Sequence, residues 1–271
     1  MVIDVKYMTN LNVFYRLSDK GNPKQKLDNA GKMACLENAV SEFGKLSMFV
    51  ILDNCNNDTV NLIKKKGLKY IQTSLGNSGS FKFMVNHIKD NLDVDDYVYL
   101  LEDDYLHLAG SKNILLEGLK IADYVSLYDH PDKYILRVNG GNPLNVDDLQ
   151  QTRVFLTKST HWREINSTTM TFACRVGTLI EDLKIWEKYS NGTGNPNDFF
   201  IFLTLTQNGF GDALKMLLLG DNKIARIIAS NLIFRKKKRK LISPIPSKAT
   251  HAELKWLAPL VDWNAEVNKI L

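Results

Sequence analysis

Three carboxylates in a row, Glu102, Asp103 and Asp104, end the apolar run "YVYLL" at residues 97–101. Adjacent acids at the mouth of a buried strand repel one another unless a positive charge sits among them. An all-oxygen set suits a hard cation, Mg²⁺ or Mn²⁺, which keeps waters and shares its remaining positions with substrate phosphates. Alternation along an extended chain sends Glu102 and Asp104 to one side and Asp103 to the other, so one acid can ligate metal while its neighbour meets a second partner. The bland alternative is a solvated acidic turn that caps the following helix.

Other stretches bring chemistry-bearing residues together. "YDHPDKY" at 128–134 groups Asp129, His130 and Asp132 around a proline that stiffens the turn, either to line a site or as an ordinary polar corner. "NGTGNPNDFFIF" makes a loop that stops at Asp198, in the first turn of an apolar helix, where an acid is also favoured by the helix dipole alone. "GNSGS" at 76–80 is a flexible turn into a helix N-terminus, suited to approach a phosphate or to make the corner. "ISPIPSKATHAE" at 242–253 carries two prolines that argue against regular structure, then Lys248, Thr250 and His251.

The elements that must position these residues alternate. Apolar runs of strand length at 46–52, 68–73, 97–101 and 124–128 are rich in β-branched and aromatic residues. Between them, "LDNAGKMACLENAVSEFG" puts Ala30, Met33, Leu36, Val40 and Phe43 on one helical face and stops at Gly44. Asp58 is expected to cap a second helix and Ser80 a third, with Phe81, Met84, Val85 and Ile88 as its stripe. Strand and helix in this order predict an α/β fold with a mostly parallel sheet and right-handed crossovers, which puts the acids of 102–104 beyond a strand's carboxyl end, where ligands bind. The second half reads less regularly: strands around "TRVFLT" and "STTMTFACRV", then helices.

A strand ending in Glu-Asp-Asp, preceded by the "GNSGS" turn and helix, resembles the nucleotide-sugar half of GT-A fold glycosyltransferases of the family 2-like kind, whose Asp-x-Asp motif holds a divalent metal on the diphosphate. The resemblance implies a Rossmann-like, mostly parallel central sheet flanked by helices. It implies one domain over 1–271, with a nucleotide-sugar half to about residue 107 and an acceptor half with a C-terminal closing loop from about 108. It implies Mn²⁺ or Mg²⁺ on Asp104, with Glu102 and His251 as further ligands; Glu102, Asp103, Lys248 and His251 toward the nucleotide; and Asp198 as the general base of an inverting transfer. Asp129 and His130 are expected on the acceptor side. Trp162 is expected there as a flat face for a sugar, or else in the core. The donor is expected to be a nucleoside diphosphate sugar, UDP-linked, and the acceptor a carbohydrate or a lipid-linked glycan. The first motif position is Glu rather than Asp, which leaves its contact with metal or ribose open.

Composition bounds the rest. At 271 residues and 44% hydrophobic, the chain can bury a substantial core. Cys35, Cys55 and Cys174 lie far apart, without metal-ligand spacing, and read as reduced core thiols. There is no G-x-x-x-x-G-K-[ST] loop and no G-x-G-x-x-G. A sugar nucleotidyltransferase, the nearest competing enzyme, is expected to carry a glycine-rich loop after its first strand, and "VFYRLSDKGNPKQK" does not supply one. A non-catalytic nucleotide-sugar or glycan-binding module is the other alternative. The net charge of +5 owes much to "RKKKRK" at 235–240, with Arg235 and Lys240 at its ends, either a solvated loop or a contact for anionic lipid, nucleic acid or a phosphorylated ligand. No nucleic-acid motif accompanies it. The N-terminal residues lack the layout of a secretory signal and no apolar run approaches a membrane span, so a cytoplasmic protein, peripheral at most to a membrane's inner face, is expected.

Overall fold

The computed structural model describes residues 10–21, 24–149, 151–191, 194–206, 210–234 and 238–270. The chain begins with β1 (Leu11–Ser18), α1 (Lys32–Phe43), β2 (Met48–Asp53), α2 (Asn57–Lys65), β3 (Lys69–Thr73), α3 (Gly76–Asn91) and β4 (Tyr97–Glu102). After a turn at 103–104 come β5 (Tyr105–His107), α4 (Ser111–Leu119) and β6 (Tyr124–Val125). The second half supplies β7 (Val154–Leu156), β8 (His161–Glu164), β9 (Phe172–Arg175), α5 (Val176–Glu181), α6 (Leu183–Tyr189), α7 (Asp198–Thr206), α8 (Phe210–Leu218) and α9 (Asn222–Phe234). It closes with β10 (Leu241–Ile245), β11 (Ala249–His251) and α10 (Trp263–Ile270).

The main sheet has nine strands in the order β3-β2-β1-β4-β9-β6-β10-β8-β7, and β11 pairs with β5 in a small second sheet. All of the nine but β8 and β9 run one way, so the sheet is mostly parallel and Rossmann-like. Strand alternation divides the core. Val13, Tyr15 and Leu17 of β1 and Tyr99 and Leu101 of β4 face α1 and α2, whose Leu36, Ala39, Phe43 and Ile63 join the same cluster. Phe14, Val98 and Leu100 face α3 through Phe81, Met84, Val85 and Ile88. The crossovers before and after β3 therefore lie on opposite faces, which makes the β1/β4 junction the switch point at whose carboxyl end a crevice opens.

The reading of 242–253 as an irregular closing loop is corrected. Leu241–Ile245 is a buried strand, and Ala249–His251 pairs antiparallel with β5. Pro244 is tolerated because β6 pairs only with Leu241 and Ile242, so the missing N–H of Pro244 falls beyond that neighbour's end. Two cap assignments also shift. Asn56, not Asp58, caps α2 by accepting from the Thr59 amide, and α3 starts at Gly76, so Ser80 lies inside it.

Of the basic block, 235–237 lie outside the described residues. Arg239 does not face solvent: its Nε donates to Asp182 Oδ2 at 2.8 Å, and its Nη atoms reach Glu181 Oε2 at 2.6 Å and Asp123 Oδ1 at 3.3 Å. Lys240 Nζ lies 4.2 Å from the Phe155 ring centroid. Among the described residues of the block, Lys238 is exposed and Lys240 is half-buried. Among the described residues no helix is long and apolar enough to cross a membrane.

Removing the guanidinium takes away the cation bonded to the buried Asp182 carboxylate, which keeps its hydrogen bond from the Tyr124 hydroxyl at 2.8 Å. Arg239→Met is expected to lower the unfolding free energy by about 3–5 kcal/mol, whereas Lys238→Gln stays within about 0.5 kcal/mol. Urea unfolding of the two variants checks this, and equal stabilities would refute a structural role for Arg239.

Candidate functional site

Arg16 and Glu102 are register partners on β1 and β4 and point toward the α3 face. Arg16 Nη2 donates to Glu102 Oε1 at 2.9 Å, and its Nη1 donates to Asn77 Oδ1 at 2.6 Å at the start of α3. The strand ends there, so the expected alternation does not extend to Asp103 and Asp104. Their turn sends each acid to its own partners. Asp103 Oδ2 accepts from the Ser18 amide at 3.0 Å and lies 3.6 Å from Lys32 Nζ. Asp104 Oδ2 lies 3.1 Å from His251 Nε2, 3.7 Å from Lys24 Nζ and 3.9 Å from Lys26 Nζ. All three acids line one cavity of about 280 Å³ with Arg16, Lys20, Lys24, Lys26, Lys32 and Asp53.

Burial raises the pKa of Glu102, with Arg16 opposing, and raises that of Asp103, with Asp104 adding to the rise. For Asp104 burial also acts upward, but the His251 hydrogen bond and the charges of His251, Lys26 and Lys24 outweigh it and hold the carboxyl at about 2. Asp53 fixes the end of β2: its Oδ1 accepts from the Thr73 hydroxyl at 2.8 Å and the Leu75 amide at 2.7 Å, which sets the turn into α3. The first turn of that helix, at Gly76 and Asn77, opens on the same cavity.

A divalent metal needs several oxygen or nitrogen donors turned to one point at about 2.0–2.2 Å. Glu102 is turned to Arg16 instead, and among the described residues no three histidine, cysteine or acid groups converge as a metal cage would. His251 and Asp104 do meet, but as a hydrogen bond. His251 Nδ1 accepts from the Glu253 amide at 3.3 Å, so Nε2 carries the proton donated to Asp104. The expected set of Glu102, Asp104 and His251 therefore does not fit a metal as arranged. Lys248 is not among the residues lining the cavity, and its backbone carbonyl accepts from the Leu108 amide at 3.0 Å. The cations facing the acids come from β1 and the segment after it.

A second cavity of about 320 Å³ is lined by His130, Asp132, Lys133, Ser167, Thr168 and Asp198, among others. Asp198 opens α7, and Asn197 caps the helix through the Phe200 amide at 3.0 Å. The preceding loop is stitched to α3: Ser78 Oγ donates to Gly194 O at 2.7 Å and Asn77 Nδ2 to Asn195 Oδ1 at 2.8 Å. Asn195 lines the first cavity and Asn197 and Asp198 the second, so one short segment walls both. Burial lifts the Asp198 carboxyl from its ordinary 3.8 to about 6, with Glu102 and Asp132 adding to the rise and the Phe199 amide and Lys133 opposing it. Lys133 is buried, with Nζ 2.8 Å from Asp132 Oδ1 and 3.1 Å from Ser167 Oγ.

The structure brings Glu102, Asp103, Asp104 and His251 together, and places His130 with Asp198. It separates two others. Asp129 is buried, accepts from the Tyr134 hydroxyl at 2.5 Å and lies 3.9 Å from Arg163 Nη1, so it braces the turn behind the cavity. Trp162 belongs to the core: it is fully buried, donates from Nε1 to Thr157 Oγ1 at 2.8 Å, and packs so closely on Gly118 that a Cβ there would come within 2.6 Å of the indole. Neither offers a face to an acceptor, because strand β8 turns Trp162 inward. Sequence reasoning missed Arg16, Lys24, Lys26, Lys32 and Lys133. For Lys24 and Lys26 the available signal was the lysine-rich run directly after an apolar strand, in the very stretch searched for glycines, and for Lys133 the "YDHPDKY" turn itself.

No protein-family model matches the chain, and no curated protein matches its sequence. Among solved structures, 4-diphosphocytidyl-2C-methyl-D-erythritol synthase from Anaerococcus prevotii is similar over 97% of this chain and 94% of its own, at 9% identity and a TM-score of 0.45. S. aureus TarS 1–349 in complex with UDP is similar over 85% of this chain and 67% of its own, at 14% identity and a TM-score of 0.45. A cytidylyltransferase from Leptospira borgpetersenii is similar over 66% of this chain, which spans 65% of that protein's length, at 12% identity and a TM-score of 0.39. At these identities and TM-scores the likenesses carry no argument about activity, and the functional reading rests on this chain's own residues.

Proposed function

We propose that the protein is a transferase that moves a sugar from a nucleoside diphosphate donor, UDP-linked, to a hydroxyl of a carbohydrate or lipid-linked acceptor. One observation carries the reading: a cavity rich in cations and a cavity rich in hydroxyls share a wall, and a carboxyl titrating near 6 stands on that wall. Arg16, Lys24, Lys26 and Lys32, with the first turn of α3, suit the phosphates and the charge that develops as the nucleoside diphosphate departs. The acceptor hydroxyl enters beside Ser167 and Thr168. Its oxygen bonds to the anomeric carbon as the sugar–phosphate bond breaks, and the proton passes to Asp198, with inversion. An acid at about 6 is ionised at neutral pH and basic enough to take that proton. The lysine count favours one second reading, a nucleotidyltransferase binding a triphosphate. Release of pyrophosphate from nucleoside triphosphates with a panel of sugar phosphates would select it.

Asp198→Asn keeps size and hydrogen bonding but cannot take a proton. Donor binding should survive while transfer falls about a hundredfold or more. In the unaltered protein, log kcat/KM should rise with pH up to about 6 and level above it. Turnover of an identified acceptor by the purified variant, beside its affinity for UDP, decides the matter, and near-normal turnover would remove Asp198 from the role.

Stability gives an independent readout. A carboxyl raised from 3.8 to about 6 in the folded state holds its proton more tightly there than in the unfolded chain. Its contribution is full below pH 3.8 and is lost as pH rises through about 6. Asp198→Asn should therefore match the unaltered protein near pH 3.5 and exceed it by about 2–3 kcal/mol above pH 7. Urea melts at the two pH values test this. A helix acid held only by the dipole would instead lose about 0.5 kcal/mol on substitution.

A further inference from the structure

We propose that the cation facing Asp104 in the first cavity is the chain's own Lys24, and that its ammonium holds the place of a divalent metal, so that this phosphate-binding centre works without one. Lys24 Nζ lies 3.7 Å from Asp104 Oδ2, 3.4 Å from His251 Nε2 and 3.5 Å from Glu253 Oε2. The carboxylates of Asp104 and Glu253, from two distant segments, thus flank one ammonium at nearly equal range, the arrangement of a central charge rather than of a pair, while His251 stands beside it as a donor to the same Asp104 oxygen. A metal bound by these two carboxylates would sit at about 2.0–2.2 Å from each oxygen and leave no room for the lysine. Lys26 adds a second positive charge 3.9 Å from the same Asp104 oxygen.

The lysine is built into this position. Around it, the Leu27 amide donates to Ala252 O at 2.9 Å and the Leu254 amide to Gln25 O at 2.9 Å, while Lys26 and Glu253 form a β-bridge. The segment carrying Lys24 is therefore zipped to the segment carrying His251 and Glu253. That second segment is anchored in turn by β11 on β5 and by the Ala252 amide on Asp104 O at 2.7 Å. Lys24 remains 39% exposed and lines the cavity, so its donors can reach a phosphate there. The proposal deepens the donor-site reading and rests on it only for the choice of a nucleotide probe.

The test uses the full chain stripped of metal in EDTA. Isothermal titration with inorganic pyrophosphate, then with UDP, is run on the unaltered protein, on Lys24→Gln and on Lys24→Arg. Binding of pyrophosphate in EDTA is expected. Lys24→Gln should weaken it about tenfold or more, and Lys24→Arg, which keeps the charge, by no more than about threefold. Addition of Co²⁺ to the unaltered protein should give no bound-metal absorption, with or without pyrophosphate. Three results overturn the proposal: no pyrophosphate binding in EDTA, undiminished binding by Lys24→Gln, or a Co²⁺ spectrum that Asp104→Asn abolishes. Pyrophosphate binding without UDP binding would sink the nucleotide reading and leave the lysine centre standing.

Discussion

Charge at the end of β4 constrains the site more than any other feature. Two carboxylates about 6 Å apart repel by about 3 kcal/mol at the effective dielectric of a protein interior, and three in sequence face that cost together with desolvation. The fold meets it by separating the acids. Strand alternation holds Glu102 on the α3 face against Arg16, while the turn at 103–104 sends Asp103 back to the end of β1 and Asp104 toward β11. Each acid acquires a different cation, and each cation belongs to a different piece of the chain. The crevice at the switch point is thereby lined with alternating charge, which suits an anion whose own charge grows during reaction.

The same bonding determines which parts of the site are rigid. Arg16 ties the central strand to the first turn of α3 through Asn77, and Asn77 and Ser78 tie that turn to the loop before α7. The two cavities are therefore coupled through a short run of hydrogen bonds rather than through the distant core. Asp198 sits at the end of this run, partly buried, and its raised proton affinity comes first from that burial and then from the charges of Glu102 and Asp132.

Much of the first half was legible because its elements obey local rules. Buried parallel strands read as continuous apolar runs, and the stripe of Phe81, Met84, Val85 and Ile88 marks α3 by its period. The second half was harder for physical reasons. β6 has two residues and β7 three, too short for any period, and β10 carries a proline that is acceptable only because its neighbour is shorter still. Asp198 was found because glycines, a proline and an apolar helix surround it. Trp162 was ambiguous, since a tryptophan in a short strand packs inward or outward according to a register that only the sheet decides.

The lysines were missed for a different reason, which bears on how such sites are read. A glycine-rich loop is recognised by its spacing, because backbone amides must approach a phosphate closely. A loop that uses side-chain ammonium groups needs no such spacing: a long flexible stem lets Lys24, Lys26 and Lys32 reach one cavity from a bridge segment and a helix start that follow no common period. What fixes them is the partner segment. Lys24 meets Asp104, His251 and Glu253 only because β11 returns to β5 at the far end of the chain. The charge of the site is thus completed by a contact between residues more than two hundred positions apart, and local pattern in either segment carries no trace of it.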